Sequence, residues 1–248
     1  MRDSGSLATR WLGVGLAAVL AVVTLGLAVT GRLGLYINPE SAWFAVGMAV
    51  FVLIGAALTF ALPPGAEADH GHDHEAAGRP HPAALAASMT GGVAASGVVL
   101  LTLVLPPASL SAELAMSRDV GAPPLFAGAD AVTLAATGDT SAFGVGEWAT
   151  VFATATNPDA FDGDAITLTG FVTPGDGASG FDLTRLVITD CVIDAQPASI
   201  PVAASGSPME TGQWVTISGT VSSNADGRLE IDAASVEPID APKDPYEY

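Results

Sequence analysis

The sequence predicts two fold classes in one chain: an α-helical membrane region over residues 1–105 and an all-β domain over residues 142–238, joined by a linker over 106–141 and followed by a tail over 239–248. Three observations carry this reading. Trp11–Thr30, Ala42–Leu62 and Ala83–Leu105 are apolar stretches free of Asp, Glu, Lys and Arg, each close to the ~20 residues a helix needs to cross a bilayer. After Ala142 the pattern changes to short β-rich runs divided by Gly, Asp, Asn and Pro. Two of those runs, Ile166–Val172 and Val215–Val221, alternate apolar residues with Thr or Ser and then insert a glycine, which lets a small barrel bend at a corner. A small OB-like barrel is therefore the first choice and a β-sandwich the second.

The first apolar stretch follows Arg2 and Arg10 and so has the flanks of a signal peptide. It is longer than the usual leader core, and a second stretch follows after only Gly31–Ser41, so it reads as the first member of a helical hairpin. Lys and Arg near span ends are retained on the cytoplasmic side. Arg2 and Arg10 then place the N-terminus inside, Pro63–Pro82 with Arg79 inside, and everything after Leu105 outside; Arg32 dissents. The third stretch is weakly apolar around Met89–Gly92 and Ser96–Gly97, although such small residues also favour close helix packing in lipid. Were it not to span, the β domain would be cytoplasmic.

All four histidines lie between the second and third stretches. Asp69-His70-Gly71-His72-Asp73-His74-Glu75, with His81 beyond, is suited by composition to a divalent transition metal such as Zn, Ni, Cu or Co. His70, His72, His74 and Asp73 are the candidate ligands. Their spacing in one loop does not supply a closed set of four, so the metal roles open to them are capture, sensing or delivery. The plain alternative is a polar loop that happens to be rich in His and Asp.

Within the linker, Ser111–Arg118 has helical composition and is suited to a membrane surface, whereas Val120–Ser141, with Pro123-Pro124 and many Ala and Gly, reads as an extended tether. The β-type runs are Trp148–Thr154, Ala165–Val172, Arg185–Thr189, Trp214–Val221 and Leu229–Ala233; the first is equally a short helix ahead of the barrel. The tail, ending Tyr246-Glu247-Tyr248, is either free or a strap across the barrel.

From Ser111 onward 20 Asp and Glu face only Arg118, Arg185, Arg228 and Lys243, so this segment holds −16 of the chain's formal −18. Such a surface repels nucleic acid and anionic lipid heads, and no basic patch reverses that; the plain alternative is that the acidity serves solvation in a salty habitat or reflects a GC-rich genome. One cysteine, Cys191, excludes an internal disulfide. Asp190, Cys191 and Asp194 form a second, weaker candidate ligand or redox group; a small buried hydrophobe is the ordinary role of such a cysteine. The β domain has no histidine, so neither a Cys–His nor a Ser-His-Asp mechanism is available within it, and no phosphate loop or dinucleotide fingerprint is present. An enzyme is not expected.

Taken in order, several pieces resemble one bacterial family: Leu35-Tyr36-Ile37-Asn38-Pro39 after the first stretch, the His/Asp-rich loop, Leu110-Ser111 with Ala115 and Arg118, Gly170-Phe171-Val172, Phe181–Arg185 running into Ile188–Ala195, and Gly212–Gly219. The chain resembles the YcgQ-like proteins, a family described as permease subunits. The resemblance spans nearly the whole chain and is most specific over Phe181–Ala195. It implies a larger multi-span permease as partner. Members typically carry two adjacent cysteines where this chain has Asp190-Cys191, which removes one sulfur from any site the family builds there. Three functions follow as expectations: an accessory subunit whose β domain gates, braces or supplies a permease; a metal-handling membrane protein using the His-rich loop; or a membrane-tethered β module that binds a ligand, against which the scarcity of Tyr and Trp counts.

Overall fold

The computed structural model describes residues 4–61, 90–99, 101, 105, 110, 112–118, 140, 142–175, 180–204, 209–224 and 226–248. It divides into two compact units, Met1–Ala108 and Ser109–Tyr248. His70, His72, Asp73 and His74 lie outside the described residues, as does nearly all of the Val120–Ser141 tether.

In the first unit, α1 (Ser4–Val29) and α2 (Ala42–Ala61) pack against one another. α1 stops where Gly31 takes φ +69°, a left-handed conformation that glycine adopts without a Cβ clash. Gly31 N–H then donates to the Ala28 carbonyl at 3.1 Å and Arg32 N–H to that of Leu27 at 2.8 Å, which closes the helix end. Asn38 Oδ1 accepts from Glu40 N–H at 2.9 Å and opens the short 3-10 turn Pro39–Ser41 that leads into α2. Pro39–Thr59, 21 residues, is long and apolar enough to cross a membrane; Gly13–Val29 and α3 (Thr90–Val99) are shorter apolar helices. Among the described residues, then, one helix is both long and apolar enough to cross a membrane; of the third expected span only residues 90–99, 101 and 105 are described.

Ala21 in α1 and Ala49 in α2 are buried, and small residues of this kind let helix backbones approach closely. The large side chains of α2 are left outside: Trp43 is 76 % and Phe51 68 % exposed, and Phe44, Ile54 and Leu58 are exposed too. An apolar helix with its bulk outward on several faces suits a lipid environment better than water.

The second unit is a closed mixed barrel of five strands: β1 (Ala165–Pro174), β2 (Gly180–Val187), β3 (Gln196–Ala203), β4 (Trp214–Ser223) and β5 (Leu229–Pro238). The ring runs β1-β4-β5-β3-β2 and returns to β1. All pairings in the ring are antiparallel except β3 with β5, a two-residue parallel contact at Val202↔Ile231 and Ala203↔Asp232. Alternate residues point inward, as a period of two requires, so Ile166, Leu168, Val172, Leu183, Ile200, Val215, Ile217 and Ile231 fill the interior.

Both corner glycines hold places that no side chain fits. A Cβ on Gly170 would lie 2.7 Å from the Thr184 carbonyl oxygen, at the point where β1 leaves β4 for β2. A Cβ on Gly219 would collide with the Asp232 carbonyl, at the register shift between Ser218 and Gly219.

Trp148–Thr154 is helical, the second of its two expected forms. α5 (Val145–Thr154) is capped where Gly144 N–H donates to Glu147 Oε2 at 2.8 Å, and it buries Val145, Trp148, Ala149 and Val151 in the barrel core. Trp148, 1 % exposed, meets Phe143 and Phe152 edge-on at 5.7 and 6.0 Å. Ser111–Arg118 corresponds to α4 (Ala112–Arg118), which packs on β3 and β1 with Ala112 and Ala115 buried. Its outer end is fastened by Arg118 Nη1, which donates to the carbonyls of Ala195 at 2.6 Å and Val192 at 3.3 Å.

β3 was not among the expected strands because Pro197 and Pro201 interrupt it. Proline lacks an N–H and is tolerated at a strand edge. Both prolines precede Val202, where β3 first meets β5, so among the described residues this part of β3 has only β2 as a strand neighbour.

Candidate functional site at the barrel seam

β1 pairs with β2 only from Phe171 onward, which leaves a seam beside Arg185, Leu186 and Val187. The C-terminal residues fill it. β6 (Tyr246–Glu247) lies parallel to β2, with Leu186 opposite Tyr246 and Val187 opposite Glu247, and Ile188 N–H donates to the Glu247 carbonyl at 2.9 Å. Of the two expectations for the tail, the strap is the one found.

Arg185 organises the seam. Its Nη1 donates to the Thr169 carbonyl at 2.9 Å, its Nη2 to the carbonyls of Asp244 at 2.8 Å and Tyr246 at 3.2 Å, and its Nε to that of Pro245 at 3.2 Å. The planar five-donor fork of arginine makes this possible; an ammonium has no such fork. The guanidinium also stands 5.3 Å from the Trp214 ring centroid, and Trp214 meets Phe171 edge-on at 5.4 Å. Gln213 Nε2 secures the start of the strap by donating to the Ile239 carbonyl at 3.2 Å.

The strap ends on a helix. Glu247 Oε1 accepts from Val145 N–H at 2.9 Å and Oε2 from Gly146 N–H at 2.7 Å, two of the donors that the first turn of α5 leaves unpaired. A Cβ on Gly144 would lie 2.6 Å from the Glu247 carboxyl carbon, so any larger residue there would displace the carboxylate from its two amides. Burial raises the Glu247 pKa above the ordinary carboxyl value; the Gly146 and Val145 amides and Arg185 oppose that rise, and Glu147 adds to it. Burial likewise lowers the Arg185 pKa against the pull of Glu247, Asp244 and Tyr248. Tyr248 is raised by burial and by its 2.8 Å hydrogen bond to Asp244.

The weaker ligand candidates lie in the β2–β3 turn. Asp194 accepts from the backbone N–H groups of Asp190 at 2.8 Å, Cys191 at 3.1 Å and Thr189 at 3.2 Å, so its carboxylate is engaged in shaping the turn. Cys191 is a free thiol of intermediate exposure, and Ile193 at the turn's tip is 83 % exposed. Among the described residues no group of three or more His, Cys, Asp and Glu side chains is placed to hold a metal ion.

Arg185 and Glu247 were not among the sequence candidates. An arginine inside a β-type run of a strongly acidic domain was the available signal for the first. Nothing local marks the second, because its partners are 101 and 102 positions away.

Two family models match the chain in order: the DUF1980 N-terminal domain over residues 14–121 and the DUF1980 C-terminal domain over 147–248. The chain belongs to the DUF1980 family. The second model covers all five barrel strands and the strap. Neither the curated proteins nor the solved structures contain a match. In this DUF1980 chain Arg185 and Gln213, separate in sequence, both donate to carbonyls of the C-terminal strap, with Trp214 beside the guanidinium and Phe171 edge-on to Trp214. The arrangement is chemically suited to holding an extended peptide by its carbonyls and one carboxylate.

Proposed function

We propose that this DUF1980 chain is a non-catalytic accessory subunit of a membrane permease, multi-pass in the cell membrane, with its barrel on the extracytoplasmic side. The observation that carries the reading is α2: an apolar helix of spanning length whose Trp43, Phe44 and Phe51 are exposed in the chain by itself. Such surface is satisfied by lipid and by the helices of a partner, and small residues such as Ala21 and Ala49 suit close helix contacts. The likeness to permease-subunit proteins over nearly the whole sequence supports the choice of partner, and Arg2 and Arg10 support the orientation.

The barrel is read as OB-like. Its ring order β1-β2-β3-β5-β4, with β3 parallel to β5, suits the five-stranded Greek-key barrel of that fold. Its role in this reading is to gate or brace the permease or to deliver substrate to it. A photo-reactive amino acid in place of Phe51 tests the docking: irradiation of membranes is expected to give an adduct with a multi-span protein. Adducts with lipid alone would remove the subunit reading.

A further inference from the structure

The strap does two things at once. At Tyr246, which is 3 % exposed, the phenol oxygen accepts a hydrogen bond from Leu110 N–H at 2.9 Å, and Leu110 stands only two residues ahead of α4. At the next residue, the Glu247 carboxylate holds the first turn of α5. Two segments far apart in the chain, the approach to α4 and the start of α5, are thus held by neighbouring side chains of one short strand.

The strap's strand pairing is short, and Arg185, through the carbonyls of Asp244, Pro245 and Tyr246, supplies most of its remaining main-chain hold. β6 pairs with β2 over two residues, and the run before it, from Asp240 to Asp244, is mostly exposed and has no regular pairing. Pro242 and Pro245 supply no N–H there for any further ladder. A two-residue strand with an exposed lead-in has the form of an element that opens locally, with the buried Tyr246 ring and the Arg185 contacts as what must let go.

We propose that Tyr246-Glu247-Tyr248 is a releasable clasp: docked, it fastens both the Leu110–Arg118 segment and α5 to the barrel seam; released, it loosens the two together while the five-stranded ring persists. Leu110 follows the apolar stretch ending at Leu105 by five positions in the sequence. The clasp gives the barrel two discrete states, which is what a part that responds to a membrane partner requires.

Amide hydrogen exchange on the full-length chain in detergent tests this. In a variant ending at Pro245, peptides covering Leu110–Arg118 and Gly144–Thr154 are expected to exchange at least roughly fivefold faster, the loss of about one hydrogen bond each, while β1 and β4 stay protected. Tyr246→Phe keeps the ring and removes the acceptor, so it is expected to speed the Leu110–Arg118 peptide alone. Glu247→Gln is expected to speed the α5 peptide alone. Unchanged exchange in both segments after truncation would overturn the proposal. So would loss of protection throughout β1 and β4, because the strap would then be a part of the folding core and no clasp.

Discussion

Arg185 and Trp214 lie on strands that are not neighbours in the ring, yet the guanidinium sits 5.3 Å from the indole centroid and donates hydrogen bonds to four main-chain carbonyls. One side chain thereby ties β1, β2, β4 and the strap. Arg185→Ala is expected to destabilise the barrel by about 2–3 kcal/mol, since hydrogen bonds from a charged donor exceed neutral ones and the stranded carbonyls are partly buried. Arg185→Lys keeps the charge and loses the fork, so it is expected to recover less than half of that. Denaturant melts of the three proteins check both.

Glu247 gives the barrel a pH dependence of defined sign. Its pKa is raised in the folded state, chiefly by burial, so between the ordinary carboxyl value of about 4.3 and the raised folded value the native state holds more protons than the unfolded one. The Glu247 contribution therefore falls as pH rises through that window and is most favourable below it. Glu247→Gln is expected to flatten this part of the stability curve, as read by thermal melts across the window. Steeper loss of stability with rising pH in the variant would contradict it.

At the β2–β3 turn, the acceptor matters more than the thiol. Asp194→Ala strands three N–H groups and is expected to destabilise by about 1–2 kcal/mol. Cys191→Ser, at a site of intermediate exposure, is expected to stay within about 0.5 kcal/mol, because its backbone N–H and not its sulfur is used. Equal effects would mean that the sulfur has a partner of its own.

Gly170→Ala tests the corner. The new Cβ meets backbone as well as the Leu183 side chain, so relief requires β1 and β2 to move apart. A loss of about 1–3 kcal/mol is expected, the range for overpacking a tight site. Gly163→Ala is a different kind of control, since open space surrounds it and only its φ of +86° is strained.

What was legible in the sequence follows from which forces are local. Period-two alternation marked β1, β4 and β5, and the glycines of Ile166–Val172 and Val215–Val221 marked the corners, because bending and alternation leave their sign within a few residues. Trp148–Thr154 has enough β-prone residues to pass for a strand; what makes it helical is the Gly144–Glu147 cap and the burial of Val145 and Trp148, both dependent on residues outside the run. β3 was hidden by Pro197 and Pro201, which its edge position excuses. The strap's hold was hidden because its anchors are main-chain carbonyls and partners about a hundred residues upstream. Ser111–Arg118 was legible as a helix but not as part of the barrel unit, since Ala112 and Ala115 give too small an apolar face to announce it.

The central claim, a permease subunit, is tested most directly by purifying the tagged chain from membranes in mild detergent and identifying what accompanies it by mass spectrometry. The account predicts a multi-span membrane protein in stoichiometric yield, retained by the full chain and lost when residues 1–105 are replaced by an unrelated anchor. Recovery of the full chain alone, at the same yield and from several detergents, would contradict it.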